Sequence, residues 1–223
     1  MYQFAVGKIR CGMSQRGEGM LTTVFDGAEE LADFAARRIS EALSTLRALS
    51  GHCLLALTGG STPGLTYRRL ATMPIDWSHI DIIQTDERLG VPRDATSAAV
   101  IERELIGPAG VPAERWHRMP HESDPAVGAR RYAALLRRLA PTGHPDVVVL
   151  GLGEDGHTAS LFTDPVQTSD PVIITGPYGG ALRMSLDTAT IAAASVRIML
   201  AAGSGKARAV RQLAGAAPVD PHP

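Results

Sequence analysis

The chain has 223 residues, 44% of them hydrophobic and 20% charged, with a net charge of −1. This excludes a disordered chain and gives enough length for one large domain with a sizeable core. The balanced charge and 4% aromatic content argue against nucleic acid or an anionic membrane as partner, so any anionic ligand must be held by local groups.

Residues 1–20 mix Gly, Ser, Gln and Arg without a clear period and read as a loose N-terminal arm. The arm lacks the apolar core of a signal peptide, and no apolar run approaches the ~18 residues of a membrane span. Two cysteines, Cys11 and Cys53, build neither a disulfide framework nor a zinc site alone. They fit a reducing cytosol, so a cytoplasmic location is expected.

Asp26 and Glu29 form an Asp-x-x-Glu capping box. Leu31, Phe34, Ala35, Ile39, Ala42, Leu43 and Leu46 continue at helical spacing, to about Leu49. Cys53 to Leu57 is wholly apolar, the mark of a strand covered on both faces. Ser61-Thr62-Pro63 reads as a hydroxyl N-cap with Pro in the first helical turn. Ile80 to Thr85 is a second buried strand, and Thr96 to Ile106 a helix closed by Gly107-Pro108. Asp124-Pro125 opens a helix reaching Leu139, and Asp146 to Leu150 is a third strand. Strands near Pro171–Thr175, Leu182–Leu186 and Arg197–Ala201 follow, then a helix from about Ser204. This alternation predicts a single-domain α/β fold, a mostly parallel sheet with helices on both faces. It spans residues 21–215, with 216–223 an irregular tail.

Ligands bind such sheets beyond the carboxyl ends of the strands. Four polar stretches fall there. In Leu57-Thr-Gly-Gly-Ser-Thr-Pro63 the glycines and a helix N-terminus suit a phosphate cradle, although a plain tight turn has the same pattern. Thr85-Asp86-Glu87-Arg88 places two carboxylates and an arginine at a strand end; they suit sugar hydroxyls and phosphate, or a surface ion pair. Gly151 to Ser160 contains a literal G-x-G-x-x-G at Gly151, Gly153 and Gly156. It is not read as a dinucleotide site, because Glu154 and Asp155 put two negative charges where a pyrophosphate lies. His157 with Asp155 suits a general base activating water, or a capping histidine in a loop. Gly203-Ser-Gly-Lys206 offers Lys206 as a point charge for phosphate, or as a solvated lysine. Lys206 is one of two lysines among 22 basic residues.

Other features are bland. His117 and His121 have i, i+4 spacing, but Pro120 between them argues against a helix and a shared metal. His52, His79, His144 and His222 have no ligand-spaced partners. Arg130, Arg131, Arg137 and Arg138 share one helix face, read as solvated.

Taken singly, each stretch also occurs in unrelated loops; their order carries a resemblance. Leu57-Thr-Gly-Gly-Ser-Thr-Pro63, Thr85-Asp-Glu-Arg88, Leu150-Gly-Leu-Gly-Glu-Asp-Gly-His-Thr-Ala-Ser-Leu-Phe162 and Gly205-Lys-Ala207 together resemble the 6-phosphogluconolactonases. The resemblance covers the chain from about Thr22 to Ala214, and Asp155 to Phe162 is its most specific part. It implies hydrolysis of 6-phospho-D-glucono-1,5-lactone on a Rossmann-like fold, with no metal or organic cofactor. By the same resemblance His157 is the base, and Asp155 and Asp86 orient it or the substrate. Arg88, Lys206 and Arg183 (in Leu182-Arg-Met-Ser-Leu186) hold the phosphate. Thr58, Gly59, Gly60, Ser61 and Thr62 line the cradle, and amides near Gly153 and Gly156 are candidate oxyanion donors. The expected partner is the small-molecule lactone, with a monomer the favoured state.

Three features differ from the family. Ser97-Ala98 replaces a usual Ser-Asn, the segment from Phe162 to Arg183 is short, and the family commonly continues past the position of Pro223 with a further strand. The rival readings are glucosamine-6-phosphate deaminase and a non-catalytic sugar-phosphate sensor. The deaminase motif continues with Ile-Ala-Phe-Asn-Glu-Pro where Thr158-Ala-Ser-Leu-Phe162 stands, and has Tyr at the place of Arg88. Such sensors usually carry a helix-turn-helix, for which there is no room before Asp26.

Overall fold

A computed structural model describes residues 5–6, 22–121, 124–162, 169–214 and 219–221. Cys11, His222, most of the expected arm and residues 216–218 of the expected tail lie outside the described residues. The central sheet has the order β1-β10-β7-β3-β4-β6. These strands are Ala5–Val6 (β1), Val196–Ala201 (β10), Val147–Gly151 (β7), Cys53–Leu57 (β3), Ile80–Gln84 (β4) and Trp116–His117 (β6). All neighbours pair in parallel except β1, which runs antiparallel on β10. Two of the expected arm's residues are thus an edge strand.

Alternation along each buried strand divides the core. Leu55, Leu57, Val147 and Val149 point to the face covered by the helices α1 (Ala28–Ser50) and α2 (Ser61–Leu70). Leu54, Ala56, Val148 and Leu150 point to the face covered by α4 (Pro125–Leu139) and α5 (Thr188–Ala193). A strand buried on both faces needs no polar residue, which is why β3 and β7 read as continuous apolar runs. Each such Leu or Val side chain contributes about 1.5–3 kcal/mol by leaving water. The arginines of α4 at positions 130, 131, 137 and 138 are exposed, as expected. No described helix is long and apolar enough to cross a membrane.

Several local expectations change. Gly27, not Asp26, precedes α1, and no side chain caps it. The expected helix from Thr96 is a short α-helix, α3 (Ser97–Ile101), continued by a wider π-type turn over Glu102–Ile106. The segments near residues 171–175 and 182–186 are strands, but not of the parallel sheet. Val172–Tyr178 (β8) and Ala181–Leu186 (β9) join Asp86–Arg88 (β5) in a separate antiparallel sheet. Only two residues, Gly179 and Gly180, separate β8 from β9, and both have positive φ, the geometry of a tight hairpin rather than a crossover. In the expected irregular tail, Val219–Pro221 (β11) pairs in parallel with Thr22–Val24 (β2), a strand the sequence reading omitted. Three-residue strands give too short a pattern to read.

One polar cluster lies at the opposite end of β4 from the expected ligand edge. His52 Nε2 and His117 Nε2 contact the buried Asp81 carboxylate at 2.5 and 2.6 Å, and Arg115 donates to it at 3.0 Å. From sequence His52 has no ligand-spaced partner and His117 only His121, because Asp81 is distant from both histidines in sequence. Burial alone would raise the Asp81 pKa; the hydrogen bonds from His117 and His52 and the nearby positive charges hold it below the ordinary value. A depressed folded pKa gives stability that is complete above the unfolded value, about 3.9, and is lost as pH falls through the folded value. Urea unfolding of Asp81→Asn is therefore expected to show lower stability than wild type at pH 6, with the gap narrowing below about pH 4.

Candidate active site

Chain order and sheet order diverge between β3 and β7: from β3 the chain moves to β4 on one side, then returns to β7 on the other. A crevice opens at such a switch point, beyond the carboxyl ends of the strands. It is a cleft of about 640 Å³. The loops after β3, β4, β7 and β10 all reach it, through Thr58, Asp86, Gly153 and Lys206 among others.

Thr58, Gly59, Gly60, Ser61 and Thr62 line one wall. The expected hydroxyl cap is absent: Gly60 is the N-cap of α2 and no side chain caps it. The first intrahelical bond runs from Gly64 N–H to Gly60 O at 3.0 Å. The amides of Ser61 and Thr62 therefore precede the hydrogen-bonded turns, at the positive end of the helix dipole. Gly59 is required by close packing, since a Cβ there would stand 2.6 Å from Ser97 Oγ at the start of α3.

Asp86 lines the cleft but does not touch His157, which corrects one of its two expected roles. Three hydroxyls occupy its carboxylate: Thr58 donates to Oδ1 at 3.1 Å, Thr85 to Oδ1 at 3.0 Å, and Ser160 to Oδ2 at 2.7 Å. Asp86 thereby ties together the loops after β3, β4 and β7. Glu87 is fully buried and accepts from Gln84 Nε2, Arg88 N, Ser97 N and Ala98 N at 2.7–2.9 Å. It holds the start of α3 against β5, rather than serving as the second carboxylate of the site that its place beside Asp86 suggests.

Arg88 and Arg183 are directly opposite one another across β5 and β9, and both line the cleft. Like charges across a strand pair are destabilising. Arg183 Nε is also buried without a hydrogen-bond partner, at a cost of about 1–3 kcal/mol. Burial, then the charge of Arg88, lower the Arg183 pKa. A pair kept against these penalties suits an anion. Lys206, in the turn Ser204–Lys206 before α6 (Ala207–Ala214), lines the same cleft.

His157 lines the cleft, with Asp155 behind it: Nδ1 and Asp155 Oδ1 are 2.6 Å apart. Burial alone would raise the Asp155 pKa, but the hydrogen bonds from the His157 side chain and backbone hold it below the usual carboxylate range. An ionised carboxylate only accepts, so neutral His157 carries its proton on Nδ1 and its lone pair on Nε2. Gly153 is fixed by this pair. A Cβ there would run into His157 Nδ1 and stand 2.5 Å from Asp155 Oδ1.

Of the loop amides near Gly153–Gly156 expected as candidate oxyanion donors, those of Gly153 and Gly156 are already engaged. Gly153 N donates to His157 O at 2.7 Å and Gly156 N to Gly153 O at 3.2 Å; both shape the loop. Gly156 does not line the cleft; its φ of +95° marks a turn position that suits glycine. The sequence reading missed Ser160, Tyr178 and the packing role of Phe162. Phe162 and Tyr178 flank the His157 ring, with centroids 4.9 and 5.1 Å away. Among the described residues no group of three or more His, Cys, Asp or Glu is arranged to hold a metal.

Residues 26–223 match the family model described as glucosamine-6-phosphate isomerases/6-phosphogluconolactonase. A 6-phosphogluconolactonase from Nostoc is 36% identical over 180 residues, 77% of this chain and 75% of that protein. Among solved structures, a 6-phosphogluconolactonase from Shewanella baltica is 26% identical, with a TM-score of 0.75, over 92% of this chain and 97% of the other. The 6-phosphogluconolactonase of Trypanosoma brucei is also 26% identical with a TM-score of 0.75, over 87% of this chain and 86% of the other.

Proposed function

The chain belongs to the glucosamine-6-phosphate isomerases/6-phosphogluconolactonase family, and on that premise we propose that His157 is the base with which it activates water. The reaction is the hydrolysis of 6-phospho-D-glucono-1,5-lactone to 6-phospho-D-gluconate in the pentose phosphate pathway. The observation that carries the base assignment is the 2.6 Å contact of His157 Nδ1 with Asp155, which leaves Nε2 as the acceptor. Water attacks the lactone carbonyl as its proton passes to Nε2. The tetrahedral intermediate then collapses: the bond from carbonyl carbon to ring oxygen breaks, and the imidazolium returns the proton to that oxygen. Asp155 stabilises the imidazolium between the two steps.

The 6-phosphate is assigned to Arg88, Arg183 and Lys206, which face it as three cations in one cleft. The amides of Ser61 and Thr62 at the start of α2 supply further donors. Asp86, which accepts from three hydroxyls and keeps one acceptor site on Oδ2, is assigned to holding the loops and accepting from a sugar hydroxyl. Cytoplasmic location and a monomeric state belong to the same proposal.

The test uses lactone generated in place by oxidation of glucose 6-phosphate. The purified protein is expected to consume it well above the spontaneous rate and to release no ammonia from glucosamine 6-phosphate. Lactone decay at the spontaneous rate would remove the hydrolase reading, and ammonia release would favour the deaminase.

Gly153→Ala probes the geometry without replacing a functional side chain: the added Cβ pushes on His157 and Asp155. Displacing the Asp155–His157 pair by about an ångström is expected to lower turnover on the order of 100-fold. Lactone assays and a thermal melt check this together: lost turnover with a near-native melt is the expected pair of results.

A further inference from the structure

Tyr178 is a large aromatic left 40% exposed beside His157. Its hydroxyl donates to Asp155 Oδ2 at 3.1 Å, while Oδ1 of the same carboxylate faces His157 Nδ1. Its ring stacks on Phe162 with centroids 4.1 Å apart and meets the His157 ring edge-on. The Arg183 guanidinium lies 5.8 Å from the ring centroid, and Arg183 Nη2 donates to the Tyr178 carbonyl at 3.1 Å. One residue of β8 thus touches the base, the carboxylate behind the base and a cation of the anion site.

Each contact has a physical consequence. The side chain of Asp155 is 45% exposed, so a carboxylate held through Oδ1 alone would be free to turn toward water. A second hydrogen bond on Oδ2 removes that rotation. The charged groups around the phenol are Asp155, Glu154 and Arg183; the hydrogen bond from Tyr178 to Asp155 and the carboxylate's charge raise the phenol pKa, so it stays a donor at neutral pH. Packing alone does not account for the hydroxyl, since phenylalanine would stack on Phe162 equally well.

We propose that Tyr178 is a positioning residue for the hydrolysis, its hydroxyl fixing Asp155 so that His157 keeps Nε2 as the acceptor, and its ring tying that pair to Arg183. The proposal rests on His157 being the base. Tyr178→Phe, Tyr178→Ala and His157→Ala are compared with wild type on the lactone, over a range of pH. Tyr178→Phe is expected to lower kcat about fivefold, the worth of one hydrogen bond, with KM within about twofold. Its acidic limb should move to lower pH, because an Asp155 free to turn toward water holds the imidazolium less strongly. Tyr178→Ala is expected to lower kcat at least as far and also to raise KM, since Arg183 loses the ring beneath it. Wild-type kcat and an unmoved limb in Tyr178→Phe, beside an inactive His157→Ala, would overturn the role of Tyr178 alone. A fully active His157→Ala would overturn the base assignment instead.

Discussion

Replacing His157 with alanine is expected to lower kcat by roughly 10²–10⁴-fold, toward the spontaneous rate of lactone opening. The residue sits at the edge of the cleft, and neither of its ring neighbours offers a nitrogen or carboxylate in its place. KM should change little, because the phosphate is assigned to cations outside the pair. The corresponding change in Asp155 is informative. In Asp155→Asn the amide offers N–H as well as oxygen to Nδ1, which loosens the tautomer that leaves Nε2 as acceptor. A fall in kcat on the order of 100-fold is expected, with KM again nearly preserved. Initial rates from lactone generated in place measure both. A loss expressed only in KM would move both residues from chemistry to binding.

Replacing Glu87 with alanine is expected to be the most damaging change to the fold near the site. Two of its four donors, Gln84 Nε2 and Ala98 N, are buried and would lose their acceptor. At about 1–3 kcal/mol for each orphaned buried donor, the loss is about 2–6 kcal/mol. For a chain of this size that lowers Tm by about 10 °C. Turnover should fall with it, because Glu87 fixes the start of α3, and Ser97 there packs on Gly59 of the cleft-lining turn after β3. Glu87→Gln keeps one acceptor oxygen and should recover only part of the loss. Differential scanning calorimetry decides the matter: an Ala variant melting within about 2 °C of wild type would show that the four hydrogen bonds carry no net stability.

Much of this architecture was legible because its signals are local. A strand buried on both faces is an apolar run, so Cys53–Leu57 could be read to the residue and Val147–Gly151 to within one. The Asp124 cap of α4 was legible too: a short acidic side chain followed by proline, here accepting from Ala126 N at 2.8 Å. The four ligand-edge stretches could be read because each joins a strand to the turn after it. Pairing between distant segments was not legible. Asp86–Arg88 is a charged tripeptide with no strand pattern, and becomes β5 only because β9 lies beside it. Val219–Pro221 ends in proline, yet pairs with β2. The same limit hid Tyr178, whose link to Asp155 spans 23 positions of sequence. It also hid Asp81, which gathers His52 and His117 from 29 and 36 positions away. Asp86 shows the opposite error. The family resemblance implied that it orients His157 or the substrate, but the hydroxyls of Thr58, Thr85 and Ser160 take its oxygens and none goes to His157.

The pH dependence of kcat/KM for the wild-type protein tests most directly whether a neutral His157, backed by an ionised Asp155, does the chemistry. Asp155 is held below the usual carboxylate range, so it stays ionised throughout the ~pH 5–8 window in which imidazoles titrate. One enzyme proton is therefore expected on the acidic limb, beside that of the substrate's 6-phosphate at about pH 6, and the enzyme's share of the limb should vanish in the residual activity of His157→Ala. A kcat/KM that stays flat across the whole window in wild type would contradict the account.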